Sequence, residues 1–392
     1  MKRLFPIFAA LALTAPAVAQ SPVLQPEAQT QSPRRIDITE IDRRAQLLMT
    51  QLEMTGLSVA VVENGKTVFA QGYGEEIRDS GQMVTADTVF RWASVSKGVA
   101  ANTLLSLIED GGFSLSDSAE KLAPSLDLPG EESANINLVQ LLSHQTGIVR
   151  NAYDNRIEAG HYAKPTRASL KDLKLLCAPG TCHTYQNVAF DASAEIIENQ
   201  TRLPYKTVVQ TRVFDALDMD SASLTLEGLT RSKRWARPHG RFGERISSVK
   251  PTYYRVPAAA GVNSSVRDLA KWMTAQFPET GQIPAERLAA MQTPIIQTTG
   301  EQRFLNRRFR DLKRAHYGLG WRVYDYHGNK VVGHRGGVQG YRALVLFDPD
   351  RQAGIAMMWN SPHTRPIGLQ MEFLDQLYGL PRRDWLRLNE TG

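Results

Sequence analysis

The sequence predicts a mixed α/β (α+β) fold, with an antiparallel sheet drawn from both chain ends, flanked by helices, and a mostly helical lobe inserted between. Three observations point there. Short β-branched or alternating runs separated by turn residues occur near the start and recur near the end of the chain. Between about 94 and 290, apolar residues recur at helical spacings among loops. The composition, 42% hydrophobic and 22% charged over 392 residues, is that of a globular chain long enough for two lobes about one cleft.

Lys2 and Arg3 precede an apolar run from Leu4 to Leu13, and Ala17-Val18-Ala19 supplies a small-x-small cleavage pattern. Residues 1–19 read as a cleaved secretory signal, placing the protein in the periplasm or outside the cell. The run is too short to span a bilayer, and no later stretch approaches the roughly 18 apolar residues a span needs. Residues 20–35, rich in Gln, Pro and Ser, read as a linker, and residues 36–392 as the folded domain. Ile38, Ile41, Ala45, Leu48 and Leu52 recur at helical spacing between Ile36 and Met54, with Gly56 as the stop. Ser58–Val62 and Thr67–Gly72 then form a hairpin about Asn64-Gly65. At the other end, strands are expected at Trp321–Tyr326, Val331–His334, Tyr341–Phe347 and Ala353–Asn360, followed by a helix from about Ile367 to Tyr378. The sheet lobe is thus about 36–93 with 291–392, and the helical lobe about 94–290.

Loss of residues 1–19 lowers the net charge from +6 to +4, a mild excess without the concentrated stripe of a nucleic-acid binder. The densest basic cluster, Arg303 to Arg314, is interleaved with Leu305, Phe309, Asp311 and Leu312, as on a solvated amphipathic face. Cys177 and Cys182 flank a Pro179-Gly180 turn. In an oxidising compartment they are expected to form a disulfide, since two sulfurs beside His183 make a poor metal site. No phosphate loop and no metal-spaced cluster occurs among the eight histidines, so no cofactor and no metal are expected.

The chemistry centres on Arg91-Trp92-Ala93-Ser94-Val95-Ser96-Lys97-Gly98. An apolar helical run follows it and stops at Asp110-Gly111-Gly112. Ser94 falls in the first turn and Lys97 one turn on, on the same face. A lysine buried at the positive helix end favours its neutral form, which can take the serine proton. The same end offers a backbone N–H to an oxyanion. Ser118-Ala119-Glu120-Lys121 has the same spacing but sits in a Ser/Asp-rich loop without an apolar helix behind it. Tyr185-Gln186-Asn187 opens a second helical run. There the Tyr185 phenol can pass a proton to a leaving group, and Asn187 can bond the lysine and a substrate amide. Tyr153-Asp154-Asn155 matches in letters, with no helical pattern after it. In Gly333-His334-Arg335-Gly336-Gly337-Val338-Gln339-Gly340, the glycines allow substrate to approach a strand. His334, Arg335, Gly336 and Gly337 are candidate substrate contacts, the Gly337 N–H as a second oxyanion donor.

With Ser-x-x-Lys, Tyr-x-Asn and His-x-Gly in this order, the sequence resembles the serine β-lactamase and penicillin-recognising superfamily. It is similar to the branch of class C β-lactamases, D-Ala-D-Ala carboxypeptidases and β-lactamase-like esterases. Leu141–Gly147, Ala258–Ser265 leading into Asp268-Leu269-Ala270, and Tyr317–Trp321 extend the likeness over roughly residues 38 to 380. The resemblance implies a β-lactamase/transpeptidase-like fold and an acyl-enzyme on Ser94. The leading reading is hydrolysis of a β-lactam or related amide. The alternatives are a carboxylesterase, a D-Ala-D-Ala carboxypeptidase or D-aminopeptidase, and, outside enzymes, a penicillin-binding sensor that acylates without turnover. The expected partner is a small-molecule or peptide amide or ester, with no nucleic acid and no membrane span. One departure stands out: where class C enzymes usually have Lys-Thr-Gly, this chain has His334-Arg335-Gly336. Arg335 is then the candidate to replace the threonine contact with a substrate carboxylate.

Overall fold

Eight strands form one antiparallel sheet that joins the two ends of the chain. The computed structural model describes residues 36–388 except Ser247, so the signal (1–19) and linker (20–35) lie outside the described residues. In chain order the strands are β1 (Gly56–Glu63), β2 (Lys66–Gly74), β3 (Phe90–Arg91), β4 (Asn263–Ser264), β5 (Ile296–Gln297), β6 (Leu312–Tyr317), β7 (Arg322–Tyr326), β8 (Asn329–Val338), β9 (Tyr341–Asp348) and β10 (Ala353–Trp359). The large sheet has the order β2-β1-β10-β9-β8-β7-β6-β5, and β3 pairs with β4 in a small separate ribbon. The ends meet where β1 lies antiparallel to β10, with Val59 opposite Met357.

The central strands β1, β9 and β10 are buried on both faces, which explains their nearly unbroken apolar runs. On β1, Leu57, Val59 and Val61 pack with Ile41, Ala45 and Leu48 of the helix Ile38–Met49 and with Leu369 and Phe373 of the helix Ile367–Leu377. Ala60 and Val62 face the opposite way, into the core shared with the helix Ser96–Asp110. Arg44 ties the two terminal helices together, donating to Glu372 Oε2 at 2.7 Å and Oε1 at 2.6 Å.

Four expectations need correction. The first helix ends at Met49, and Leu52 is 85% exposed, because the chain turns through Thr50–Glu53 before the sheet begins. Gly56 opens β1 instead of stopping a helix; a Cβ there would lie 2.4 Å from Glu75 O. The basic cluster divides into a helix, Thr299–Arg308, and β6, in which Leu312, Ala315 and Tyr317 are buried while Lys313 and Arg314 are exposed. The strand expected to end at His334 runs on to Val338, since pairing with β9 continues to Val338↔Tyr341. The third motif therefore lies within a strand, and the turn comes after it.

Candidate active site

Ser94 sits in a tight 3-10 turn, Ala93–Val95, that feeds directly into the helix Ser96–Asp110. It is the one residue between Thr88 and Ala101 that is not fully buried. Ala93 takes a left-handed φ of 49°, a conformation an alanine holds only when its surroundings impose it. They do so through several bonds. Trp92 N donates to Val262 O at 2.8 Å, and its indole donates to Ser264 Oγ at 2.8 Å. Ser96 Oγ donates to Ala93 O at 2.6 Å and accepts from Val262 N at 3.0 Å. Gly336 of β8 presses against this turn, where an added Cβ would lie 2.0 Å from Trp92 O.

Lys97 is wholly buried, with three acceptors about its Nζ: Asn187 Oδ1 at 2.7 Å, Ala259 O at 2.9 Å and Ser94 Oγ at 3.4 Å. Each is held from behind. Asn187 Nδ2 donates to Asp154 Oδ2 at 2.7 Å. The turn carrying Ala259 is pinned by Ala258 N donating to Asp191 Oδ1 at 3.0 Å. Asp191 is in turn paired with the buried Arg167 at 2.7 Å. Burial pushes the Asp154 carboxyl up to about 6, against the opposing Asn187 bond and Lys97 charge. Tyr185 is 8% exposed, with its ring centroid 4.8 Å from Lys97 Nζ.

His334 is buried with both ring nitrogens engaged. Nδ1 lies 2.8 Å from Arg335 O, which can only accept, so Nδ1 carries the proton. Nε2 then accepts from the Tyr317 hydroxyl at 2.8 Å. Burial, reinforced by the Arg322 and Lys97 charges, holds this imidazole well below its ordinary range, so it is neutral. Arg335 is paired with Glu301, which also meets Arg322 at 3.0 Å. Burial would raise the Glu301 carboxyl, but these two guanidiniums hold it down at about 2. The structure thus gathers Ser94, Lys97, Tyr185, Asn187 and Gly336 about one point, and it commits His334 and Arg335 to protein partners. Gly337 is exposed beside Arg342.

Cys177 and Cys182 form a disulfide with Cα atoms 6.3 Å apart. Among the described residues, no group of three His, Cys, Asp or Glu is placed to hold a metal. Nor is any helix there long and apolar enough to cross a membrane. Ser118 accepts from Lys121 N as a helix cap, far from the chemistry in role. The other look-alike is different: a helix, Asp154–Glu158, does follow Tyr153, and its Asp154 is the partner of Asn187. Sequence reasoning missed Asp154 for that reason. It also passed over His144, although Leu141–Gly147 was singled out: His144 Nδ1 accepts from Gln186 N at 3.1 Å, and its ring centroid is 4.3 Å from that of Tyr185.

A mixed fold of this topology, with a serine and a buried lysine facing a tyrosine, defines a β-lactamase-fold hydrolase. The chain belongs to the β-lactamase family, whose model matches residues 41–379. It is 26% identical over 373 residues to the D-alanyl-D-alanine-carboxypeptidase/endopeptidase AmpH of Escherichia coli, covering 92% of this chain and 91% of that one. It is 26% identical over 352 residues to a β-lactamase of Pseudomonas fluorescens, covering 82% and 92%. An unguisins hydrolase of Aspergillus violaceofuscus is 26% identical over 369 residues, and there the match spans 64% of the relative's length. Among solved structures, the octameric penicillin-binding protein homologue of Pyrococcus abyssi shares the fold, with a TM-score of 0.79 at 24% identity over 90% of this chain and 80% of that one.

Proposed function

We propose that the protein is an exported serine hydrolase that opens an amide bond, in a β-lactam or a related compound, through an acyl-enzyme on Ser94. The observation that carries this reading is the seat of Lys97. Its Nζ donates to Asn187 Oδ1 and Ala259 O and lies 3.4 Å from Ser94 Oγ, so the amine that gives up one proton faces the Ser94 hydroxyl with its lone pair. The proton passes to Nζ as Oγ attacks the carbonyl carbon. The N–H groups of Ser94 and Gly337 receive the oxyanion. Tyr185 delivers a proton to the departing nitrogen, which breaks the C–N bond, and water then hydrolyses the ester.

A second reading, a carboxypeptidase or aminopeptidase acting on D-amino peptides, is favoured by the cleft beside Tyr185. It measures about 190 Å³ and is lined by Arg150, Arg303 and Arg322 together with Glu301. A leaving group that carries a carboxylate suits those cations. The carboxypeptidase AmpH and a D-aminopeptidase are among the similar proteins. A panel of nitrocefin, a short-chain nitrophenyl ester and a D-Ala-D-Ala peptide separates the β-lactam, ester and peptide readings. Loss of all turnover in Ser94→Ala is expected on whichever is cleaved, and wild-type rates in that variant refute the acyl-enzyme. Intact-mass measurement of protein from its host should give an N-terminus at or near Gln20, and one at Met1 refutes export.

A further inference from the structure

A cleft of about 700 Å³ is lined by Gly337, Arg342, Tyr253 and Arg91, and Tyr185 is not part of its lining. Arg91 is unusual among the buried arginines. Arg44, Arg167 and Arg322 each meet a carboxylate within 3.0 Å. Among the described residues, Arg91, only 3% exposed, meets none, and its Nε and Nη2 have no hydrogen-bond partner. The Tyr254 ring lies 4.2 Å from its guanidinium carbon. Among the described residues Arg342 likewise meets no acid, and it donates to the carbonyls of Val338 at 3.2 Å and Tyr341 at 2.9 Å. The two carboxylates on the rim are already engaged: Glu158 accepts from the Tyr253 hydroxyl at 2.8 Å and Glu244 from Phe242 N at 2.8 Å.

A desolvated guanidinium with unmade hydrogen bonds is costly unless an anion completes it, and a carboxylate matches its fork. Both cations are tied to the reacting centre. Arg91 lies three residues before Ser94, and Arg342 is the β8–β9 register partner of Gly337. Tyr185 lines the other cleft, with Arg322. The leaving group therefore departs on that side, and the larger cleft takes the acyl side.

We propose that Arg91 and Arg342 form a subsite for a carboxylate on the acyl portion of the substrate, so that the protein selects acyl donors with an anionic acyl end. The assignment rests on Ser94 being the nucleophile, and its test does not need turnover. In the full-length Ser94→Ala protein, calorimetry compares N-succinyl-D-alanyl-D-alanine with the same compound bearing a terminal primary amide in place of the succinyl carboxylate. The acid should bind about tenfold tighter or more, the scale of one charge-assisted contact. Adding Arg342→Gln should bring the ratio within about threefold. Arg91→Gln, with its fold checked by circular dichroism, should do the same. Equal affinities for the two ligands, no measurable binding of either, or a ratio untouched by Arg342→Gln overturns the subsite. Retained turnover in Ser94→Ala refutes instead the nucleophile, and leaves the binding ratio to decide the subsite by itself.

Discussion

Asp154→Asn should stabilise the protein at neutral pH and leave it unchanged in acid. The Asp154 carboxyl is pushed up by burial to about 6 from its ordinary 3.8, and its Oδ1 is buried without a partner. A raised carboxyl binds its proton more tightly in the folded chain than in the unfolded one. Folding is therefore favoured below the unfolded value and loses that advantage as pH rises through about 6. The gap corresponds to about 3 kcal/mol at pH 7.5 and above. Asparagine carries no charge to desolvate, and its Oδ1 can still accept from Asn187 Nδ2, the bond that Asp154 makes at 2.7 Å. Urea unfolding of wild type and variant at pH 7.5 and at about pH 4 reads the difference. The variant should be more stable at pH 7.5 by an amount on the order of 3 kcal/mol, with the two curves converging in acid. A gap of the same size at both pH values, or a less stable variant at pH 7.5, would refute the argument that a buried charge is the cost.

Further outcomes follow from the same contacts. Tyr185→Phe should lower the rate by about 10²–10⁴, whereas Ser118→Ala and Tyr153→Phe should stay within a few fold; steady-state kinetics on the substrate the panel identifies checks all three. Arg167→Met strands Asp191 and Glu195 as buried charges and should cost about 3–5 kcal/mol in urea unfolding. It should also lower kcat by loosening the Ala258–Ala259 turn beneath Lys97. An unaltered kcat would show that this turn is fixed by other means. Thiol titration of the denatured, unreduced protein should find no free cysteine, and the Cys177→Ser/Cys182→Ser variant should lose roughly 2 kcal/mol. His334→Lys should destabilise by about 3 kcal/mol or more, as an uncompensated buried cation. A variant with the wild-type melting temperature would show that the pocket can admit that charge.

Local patterns made much of this legible. The Asn64-Gly65 turn and the β-branched runs beside it announce β1 and β2, and Gly111 closes the helix behind Ser94 with a φ of 95°. Ser94 and Lys97 are one turn apart, so their meeting follows from helix geometry alone. What escaped depends on long-range placement. Asp154 meets Asn187 across 33 positions, through loops that no periodicity describes. Tyr317 and His334 meet across the intervening strand β7, so their bond needs the strand order of the finished sheet. Arg335 turned out to be bound to Glu301, which lies just ahead of the basic cluster Arg303 to Arg314 on a helix the sequence did not announce. β6 was hidden for a related reason: Lys313 and Arg314 interrupt its alternation, and the register shifts between Lys313 and His316.

The third motif shows why the residue types differ from a Lys-Thr-Gly pattern. Lys97 and the Arg322 guanidinium are already buried in this pocket, and the carboxylate of Glu301 is spent on Arg322 and Arg335. A lysine at 334 would add another basic group with no acid left to meet it. Histidine resolves this by being neutral and two-sided, donating from Nδ1 to Arg335 O and accepting at Nε2 from Tyr317. It fixes the Tyr317 hydroxyl, whose ring stacks edge-on to those of His144 and Tyr185 at 4.7 and 6.3 Å. Positive charge borders the site one strand over, at Arg322, and at Arg150 beside Tyr185. On the proposed reading, selection among substrates rests with the arginines that border the two clefts, Arg322 and Arg150 beside Tyr185 and Arg91 and Arg342 in the larger one.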